Sequence, residues 1–161
     1  MTIQIGQTLP DATVSMMGTD GPEQMALADK FRGRTVVVFG LPGAFTGTCS
    51  TLHLPSFMRT KTQFDAKGVD EIICVSVNDA WVMDAWGKAT AATDAGITLV
   101  ADHTAEFTKA IGMNFDAPAV GFFDRSRRYA MVVKDGVVTH LQIDKPGVCD
   151  ATTGEGILAA M

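Results

Sequence analysis

Three cysteines, three histidines and a short run of arginines hold most of the nucleophilic or metal-binding potential of this 161-residue chain. The nucleophilic form of cysteine is the thiolate, and an unperturbed thiol of pKa near 8.5 is only about 3% ionised at pH 7. A reactive cysteine must therefore stand near positive charge. Cys49 follows a β-branched run, Thr35-Val-Val-Val-Phe-Gly40, and a loop interrupted by Pro42, Gly43 and Gly47. That order puts it in the first turn of the following helix, where backbone N–H groups lack partners and the helix dipole favours an anion. A helix start contributes about 0.3–2 kcal/mol, whereas bringing a thiol from 8.5 to about 6 takes roughly 3.4 kcal/mol. A side-chain cation should therefore stand nearby. Position alone does not separate this reading from the commoner small cysteine buried in a core.

The flanking residues favour chemistry. Thr46, three residues upstream, has a hydroxyl that can donate to a sulfur anion or to a substrate oxygen. Pro42 stiffens the loop and removes an N–H donor, shielding the sulfur from water. Thr46-Gly-Thr-Cys49 occupies the place of a Cys-x-x-Cys redox pair but has threonine for the first cysteine, so dithiol exchange within this turn is excluded.

The other candidates are weaker. Cys74 lies inside the apolar run Glu71-Ile-Ile-Cys-Val-Ser-Val77, about 10 Å below the rim where Cys49 belongs, at ~3.3 Å per residue. It could bridge to Cys49 only after local unfolding. Cys149 sits in a loop, Lys145-Pro-Gly-Val-Cys149-Asp, ahead of a last helix. His53 shares a helical face with Cys49, which raises a Cys/His hydrolase as an alternative. That chemistry also needs an oxyanion hole and a group orienting the histidine, and neither is visible. A polar group at the pocket wall or in a buried hydrogen bond is the plainer role for His53. The dispersed cysteines and histidines form no four-ligand metal set, and no cofactor is implied. Trp81, Met83 and Trp86 read as a core stripe or a partner contact.

These residues need elements to position them. Turn residues Gly18-Thr-Asp-Gly-Pro22 after the alternation of 6–17 predict an N-terminal hairpin. Strands are expected over 35–40, 71–77 and 97–101, with helices near 48–67, 80–93 and 105–111. Pro55 predicts a kink in the first of these helices. Residues 128–133 and 137–143 flank Asp135-Gly136 as a second hairpin, and 152–161 close as a helix. The pattern is α/β, a thioredoxin-like fold: one domain, 1–161, with a central mixed β-sheet flanked by helices and an N-terminal hairpin extension.

The formal net charge of -5 gives no broad electrostatic case for nucleic acid. The short basic cluster 125–128 reads by itself as a solvated turn. No apolar run approaches the ~18 residues of a membrane span, and neither a secretory leader nor a disulfide framework is visible. A cytoplasmic, reducing location is expected.

Pro42-Gly-Ala-Phe-Thr46-Gly-Thr-Cys49 resembles the Pro-x-x-x-Thr-x-x-Cys signature of peroxiredoxins. With Cys-Ser-Thr-Leu-His-Leu-Pro55, Val75-Ser-Val-Asn-Asp79, Ala85-Trp-Gly-Lys88, Ala105-Glu-Phe-Thr-Lys109 and Arg128-Tyr-Ala-Met-Val-Val133, the likeness is to the type II branch, the peroxiredoxin 5 subfamily, over nearly the whole chain. The resemblance implies a peroxidase in which Cys49 attacks hydrogen peroxide or an alkyl hydroperoxide and becomes a sulfenic acid. It makes Thr46 the hydrogen-bonding threonine, Pro42 the shielding proline and Arg128 the missing cation. Strand alternation turns Arg128 toward the face of Ala130 and Val132 and leaves Arg127 to solvent. The family's reductants imply glutathione or glutaredoxin as partner, with thioredoxin a further option. The resemblance also implies homodimers that pair near the active-site loops, with Phe45 and Trp81 at the interface. Certain relatives carry a resolving cysteine in the region of Cys149, in a slot that aligns nearer Ala151, and one at the spacing of Cys74 has been proposed in some members, but Cys74 reads here as buried and inert. Gly47 departs from the proline common in the type II branch and gives the turn extra freedom. A redox sensor on the same scaffold is the alternative from another class; stoichiometric oxidation without recycling would distinguish it.

Overall fold

A computed structural model describes all residues 1–161. Nine strands form in chain order: β1 (Thr13–Gly18), β2 (Gly21–Ala26), β3 (Thr35–Gly40), β4 (Glu71–Ser76), β5 (Ile97–Ala101), β6 (Asn114–Ala117), β7 (Phe122–Ser126), β8 (Tyr129–Lys134) and β9 (Val137–Ile143). The helices are α1 (Leu54–Ala66), α2 (Ala80–Ala89), α3 (Glu106–Ala110) and α4 (Gly154–Ala160). Seven strands make one sheet in the order β2-β1-β5-β4-β3-β8-β9, and β6 and β7 pair separately as a ribbon. The central strands β3, β4 and β5 run parallel, while β8 and β1 are antiparallel to their neighbours. This is the mixed, thioredoxin-like sheet expected, with its N-terminal hairpin at β1–β2.

Alternation along the buried strands builds two cores, one on each face. Val37 and Phe39 of β3 and Ile72 and Cys74 of β4 point into a core closed by α1, α2 and α4. Val36, Val38, Ile73 and Val75 point the other way, against Phe107 of α3 and the N-terminal segment. Phe57 of α1 stacks on Phe39 with ring centres 4.0 Å apart, anchoring the helix over the sheet. Met83 and Trp86 are core residues, but Trp81 is exposed.

The antiparallel register of β3 and β8 sets the position of the site. Gly40, the last residue of β3, lies opposite Tyr129, the first of β8. The loop leaving β3 and the residue entering β8 therefore meet at one rim of the sheet. The C-terminal helix docks close to the same place. Gly154 donates its N–H to Ser56 Oγ at 2.9 Å, and a side chain there would overlap Thr60 and the Ser56 carbonyl.

Pro55 lies inside one continuous helical run over 47–66, and the distortion expected of it takes the form of a π turn. Having no N–H, it cannot bond back into the turn that precedes it. The irregularity falls just before it, in a π-helical turn over Cys49–His53, closed by the Leu54 N–H to the Cys49 carbonyl. The β6–β7 ribbon was not foreseen. No helix is long and apolar enough to cross a membrane.

Candidate active site

Cys49 is the first residue of the π turn and is 1% exposed. Trp86 holds the start of this turn through its indole N–H, which donates to Ser50 Oγ at 3.0 Å. Upstream, the loop from β3 is pinned by the Ala44 N–H on Asn78 Oδ1 at 3.0 Å. It turns sharply at Phe45, whose φ of 63° lies in the left-handed region that L residues rarely adopt.

Arg128 reaches this sulfur from the β8 side. Nη1 and Nη2 both lie 3.6 Å from Cys49 Sγ, so the guanidinium fork faces the sulfur with two donors. The basic run is therefore no solvated turn. Arg128 is 9% exposed, Arg125 Nη1 donates to the Pro42 carbonyl at 3.0 Å, and Arg127 lines the cavity beside Cys49. Arg128 lies on the Ala130 and Val132 face, as expected from strand alternation, since those residues share a core with Cys49.

His53, on the next turn, completes the arrangement. Its Nε2 lies 2.9 Å from the Thr152 carbonyl oxygen, which can only accept, so Nε2 carries the hydrogen. Nδ1 is then the acceptor for Arg128 Nη1 at 3.1 Å. Burial, reinforced by the charge of Arg128, holds the His53 pKa down at about 3. A neutral acceptor of this kind orients the guanidinium without competing with it. The Cys/His hydrolase alternative fails here, because His53 has no bond to the sulfur and Nδ1 is committed to a cation.

Thr152 is fixed in turn by Asp144, whose carboxylate accepts from the N–H groups of Asp150, Ala151 and Thr152 and from Thr152 Oγ1. Burial alone would raise the pKa of Asp144, but these bonds outweigh it and keep the carboxyl below its usual range.

A cavity of about 410 Å³ opens beside the sulfur, with Pro42, Thr46 and Arg128 in its wall. Thr46 differs from expectation in one respect. Its hydroxyl donates to the Gly43 carbonyl at 2.6 Å, so no hydrogen is left for Cys49 and the oxygen is left as an acceptor. Gly47 is exposed at the rim, and a side chain there would meet no atom. Cys74, opposite Phe39 in the sheet, is fully buried. Burial pushes its thiol well up, and Cys49 adds to the effect. Cys149 is half-buried in the loop before α4; burial raises its thiol, opposed by Arg128.

The profile of the Redoxin family matches residues 4–153. The chain is 43% identical to rice (Oryza sativa subsp. japonica) chloroplastic peroxiredoxin-2E-2 over 164 residues, covering 99% of this chain and 73% of the rice protein. It superposes on reduced Prx3 from Vibrio vulnificus in complex with hydrogen peroxide with a TM-score of 0.93, at 46% identity and 99% coverage of both chains. Peroxiredoxin 5 from Alvinella pompejana aligns at 32% identity, TM-score 0.86, over 98% of this chain and 97% of that one. This chain is a type II peroxiredoxin. Its family activity is thiol-dependent reduction of peroxides, an antioxidant function.

Three parts of the peroxiredoxin site escaped the sequence. His53 was seen, but its bond to Arg128 was not, and Asp144 was missed entirely. Asp144 carried one clue, a carboxylate just ahead of a Pro-Gly turn. The Phe115–Phe122 wall was also missed, although Asn114-Phe-Asp-Ala and Phe122-Phe-Asp-Arg each carry the alternation of a ribbon.

Neutral His53 links stability to pH. With a pKa of about 3 in the folded protein and near 6.5 unfolded, the unfolded chain binds the extra proton between those values. Stability is then full above about pH 6.5 and falls as pH drops toward 3. In urea titrations between pH 6 and 5, the unfolding free energy of the native protein should fall more steeply than that of His53→Gln, by about 1 kcal/mol per pH unit. Parallel slopes would contradict a neutral His53.

Proposed function

We propose that Cys49 is the peroxidatic residue, that Arg128, Thr46 and Pro42 assist it, and that glutathione with glutaredoxin returns it to the thiol in a cytosolic setting. The observation carrying this reading is the pair of guanidinium donors, each 3.6 Å from the Cys49 sulfur, at the wall of a solvent-open cavity. The thiolate attacks the terminal oxygen of R–O–O–H, forming an S–O bond as the O–O bond breaks. The leaving RO⁻ takes up a proton and departs as alcohol or water, while the sulfur gives up two electrons. Arg128 stabilises the negative charge as it spreads over the breaking bond. Thr46 Oγ1, its own hydrogen committed to Gly43, accepts the peroxide hydrogen and aligns it. Pro42 keeps the loop closed against water.

The sulfenic acid then condenses with a glutathione thiol, releasing water, and a second thiol reduces the mixed disulfide. Two observations favour an external thiol. Cys74 is sealed in the sheet, and Asp144 ties down the segment beside Cys149 through three backbone N–H groups. Peroxide consumption should be sustained by glutathione plus glutaredoxin, should vanish in Cys49→Ser, and should persist in Cys74→Ser and Cys149→Ser. Near-complete loss of turnover in a folded Cys149→Ser protein would establish intrachain resolution instead. Turnover with thioredoxin alone would overturn the reductant.

The peroxiredoxin is also proposed to pair as a homodimer. Phe45 and Trp81 are 57% and 65% exposed, and they flank the Ala44–Asn78 bond that joins their loops. Two large apolar side chains so placed suit a self-complementary contact. Sedimentation at micromolar concentration should give a dimer mass that Trp81→Glu lowers to a monomer. A monomeric native protein would refute the interface.

A further inference from the structure

Successive peptide groups in the loop between β3 and Cys49 are tied to different parts of the fold. The Gly43 carbonyl accepts from Thr46 Oγ1 at 2.6 Å. The Ala44 N–H donates to Asn78 Oδ1 at 3.0 Å, just ahead of α2. The Pro42 carbonyl accepts from Arg125 Nη1 at 3.0 Å, on β7. The first two ties come from the rim of the main sheet. The third reaches in from the β6–β7 ribbon, which pairs apart from it.

A guanidinium ordinarily faces a carboxylate or phosphate, yet Arg125 takes part in no ion pair. Besides the Pro42 carbonyl it has the Phe122 ring, whose centre lies 5.1 Å from the guanidinium carbon. Phe122 is backed edge to face by Phe115, ring centres 6.2 Å apart. Regular alternation would put residues 122 and 125 on opposite faces of β7. Here the register of the ribbon shifts between Phe115 and Ala117, and Asp124 takes a left-handed φ of 51°. Arg125 is thereby turned back over Phe122, as bulges beside active sites re-aim side chains. Asp124 is held in that conformation by its N–H on Asp116 Oδ1 at 2.7 Å and by Lys109 Nζ at 3.0 Å.

Gly43 supplies the matching half. Its φ is not left-handed, so space rather than backbone conformation calls for glycine: a Cβ there would overlap Arg125 Nη1. We propose that Arg125 is a positioning residue for the peroxidase reaction. It ties the Pro42–Gly43 peptide to the ribbon, and through that peptide it sets Thr46 Oγ1 where the peroxide hydrogen is accepted. The route is short, because the carbonyl that fixes the Thr46 hydroxyl belongs to the residue whose N–H side Arg125 holds. Arg128 is unaffected, since it is oriented from His53.

The inference rests on the peroxidase reading, and two reagents for the same sulfur separate them. Hydrogen peroxide needs an aligned O–O bond, whereas iodoacetamide alkylates Cys49 without Thr46. In Arg125→Met the second-order rate with hydrogen peroxide should fall about 10- to 100-fold, the scale of a misplacement of about 1 Å, while alkylation stays within about twofold. In a Thr46→Val background, Arg125→Met should add almost nothing, because the two act as one unit. Gly43→Ala keeps Arg125 but displaces the flexible end of its side chain, so it should fold and show the same selective loss. An equal fall with both reagents, full additivity with Thr46→Val, or a native peroxide rate in Gly43→Ala overturns Arg125 as a positioning residue and leaves the peroxidase intact. Failure of hydrogen peroxide to oxidise Cys49 in the native protein overturns both.

Discussion

A single guanidinium has to satisfy two neighbours, and the rest of the site depends on how it does so. Arg128 presents two N–H groups to the Cys49 sulfur and shares one of those nitrogens with His53 Nδ1. A cation this deeply buried is costly unless each donor finds an acceptor, and a protonated His53 would remove one acceptor while adding a second positive charge. Burial keeps the imidazole neutral. Its other nitrogen is engaged by the Thr152 carbonyl, and Thr152 is held by Asp144. The chain of contacts from Asp144 through Thr152, His53 and Arg128 to Cys49 thus fixes a planar fork against one sulfur. Fixed donors are what a developing negative charge needs, since none has to reorient during the reaction.

The backbone supplies the convergence. Cys49 and Arg128 are far apart in sequence, yet β3 ends where β8 begins, and the Gly40–Tyr129 pairing brings them to the same rim. The π turn matters for the same reason. It keeps Cys49 and His53 together on the side that faces Arg128, and it directly precedes Pro55, which has no N–H to continue the helical ladder. Cys74 shows the contrast. Cys74 lies in the middle of β4, in register with Phe39 of β3, and its free thiol is fully buried, with no access to the rim.

Local signals made most of the architecture legible. The buried strands 35–40 and 97–101 are unbroken apolar or β-branched runs, and both form with those bounds. Asp135-Gly136 marked the β8–β9 turn without ambiguity. The β6–β7 ribbon was hidden because Pro118 and Gly121 interrupt it, and its register shifts between Phe115 and Ala117, which blurs a period of two. In the site, Cys49, Thr46, Pro42 and Arg128 were readable from one compact signature and one strand alternation. The His53–Arg128 bond and the Asp144 clamp were not, because each joins segments far apart in sequence and neither residue type announces a partner. Thr46 was placed correctly, but the direction of its hydrogen bond depended on the Gly43 carbonyl, and only the folded loop reveals that.

The most direct test of the guanidinium fork is the second-order rate at which hydrogen peroxide oxidises Cys49 in Arg128→Lys, followed by stopped flow with no reductant present. Lysine keeps the charge but offers a compact ammonium in place of a planar pair of donors. If two aligned N–H groups hold the sulfur and the breaking bond, the rate should fall by about 10²- to 10³-fold, the loss typical of a removed preorganised donor. A rate within a few-fold of the native protein would mean that positive charge alone suffices and that the fork is incidental.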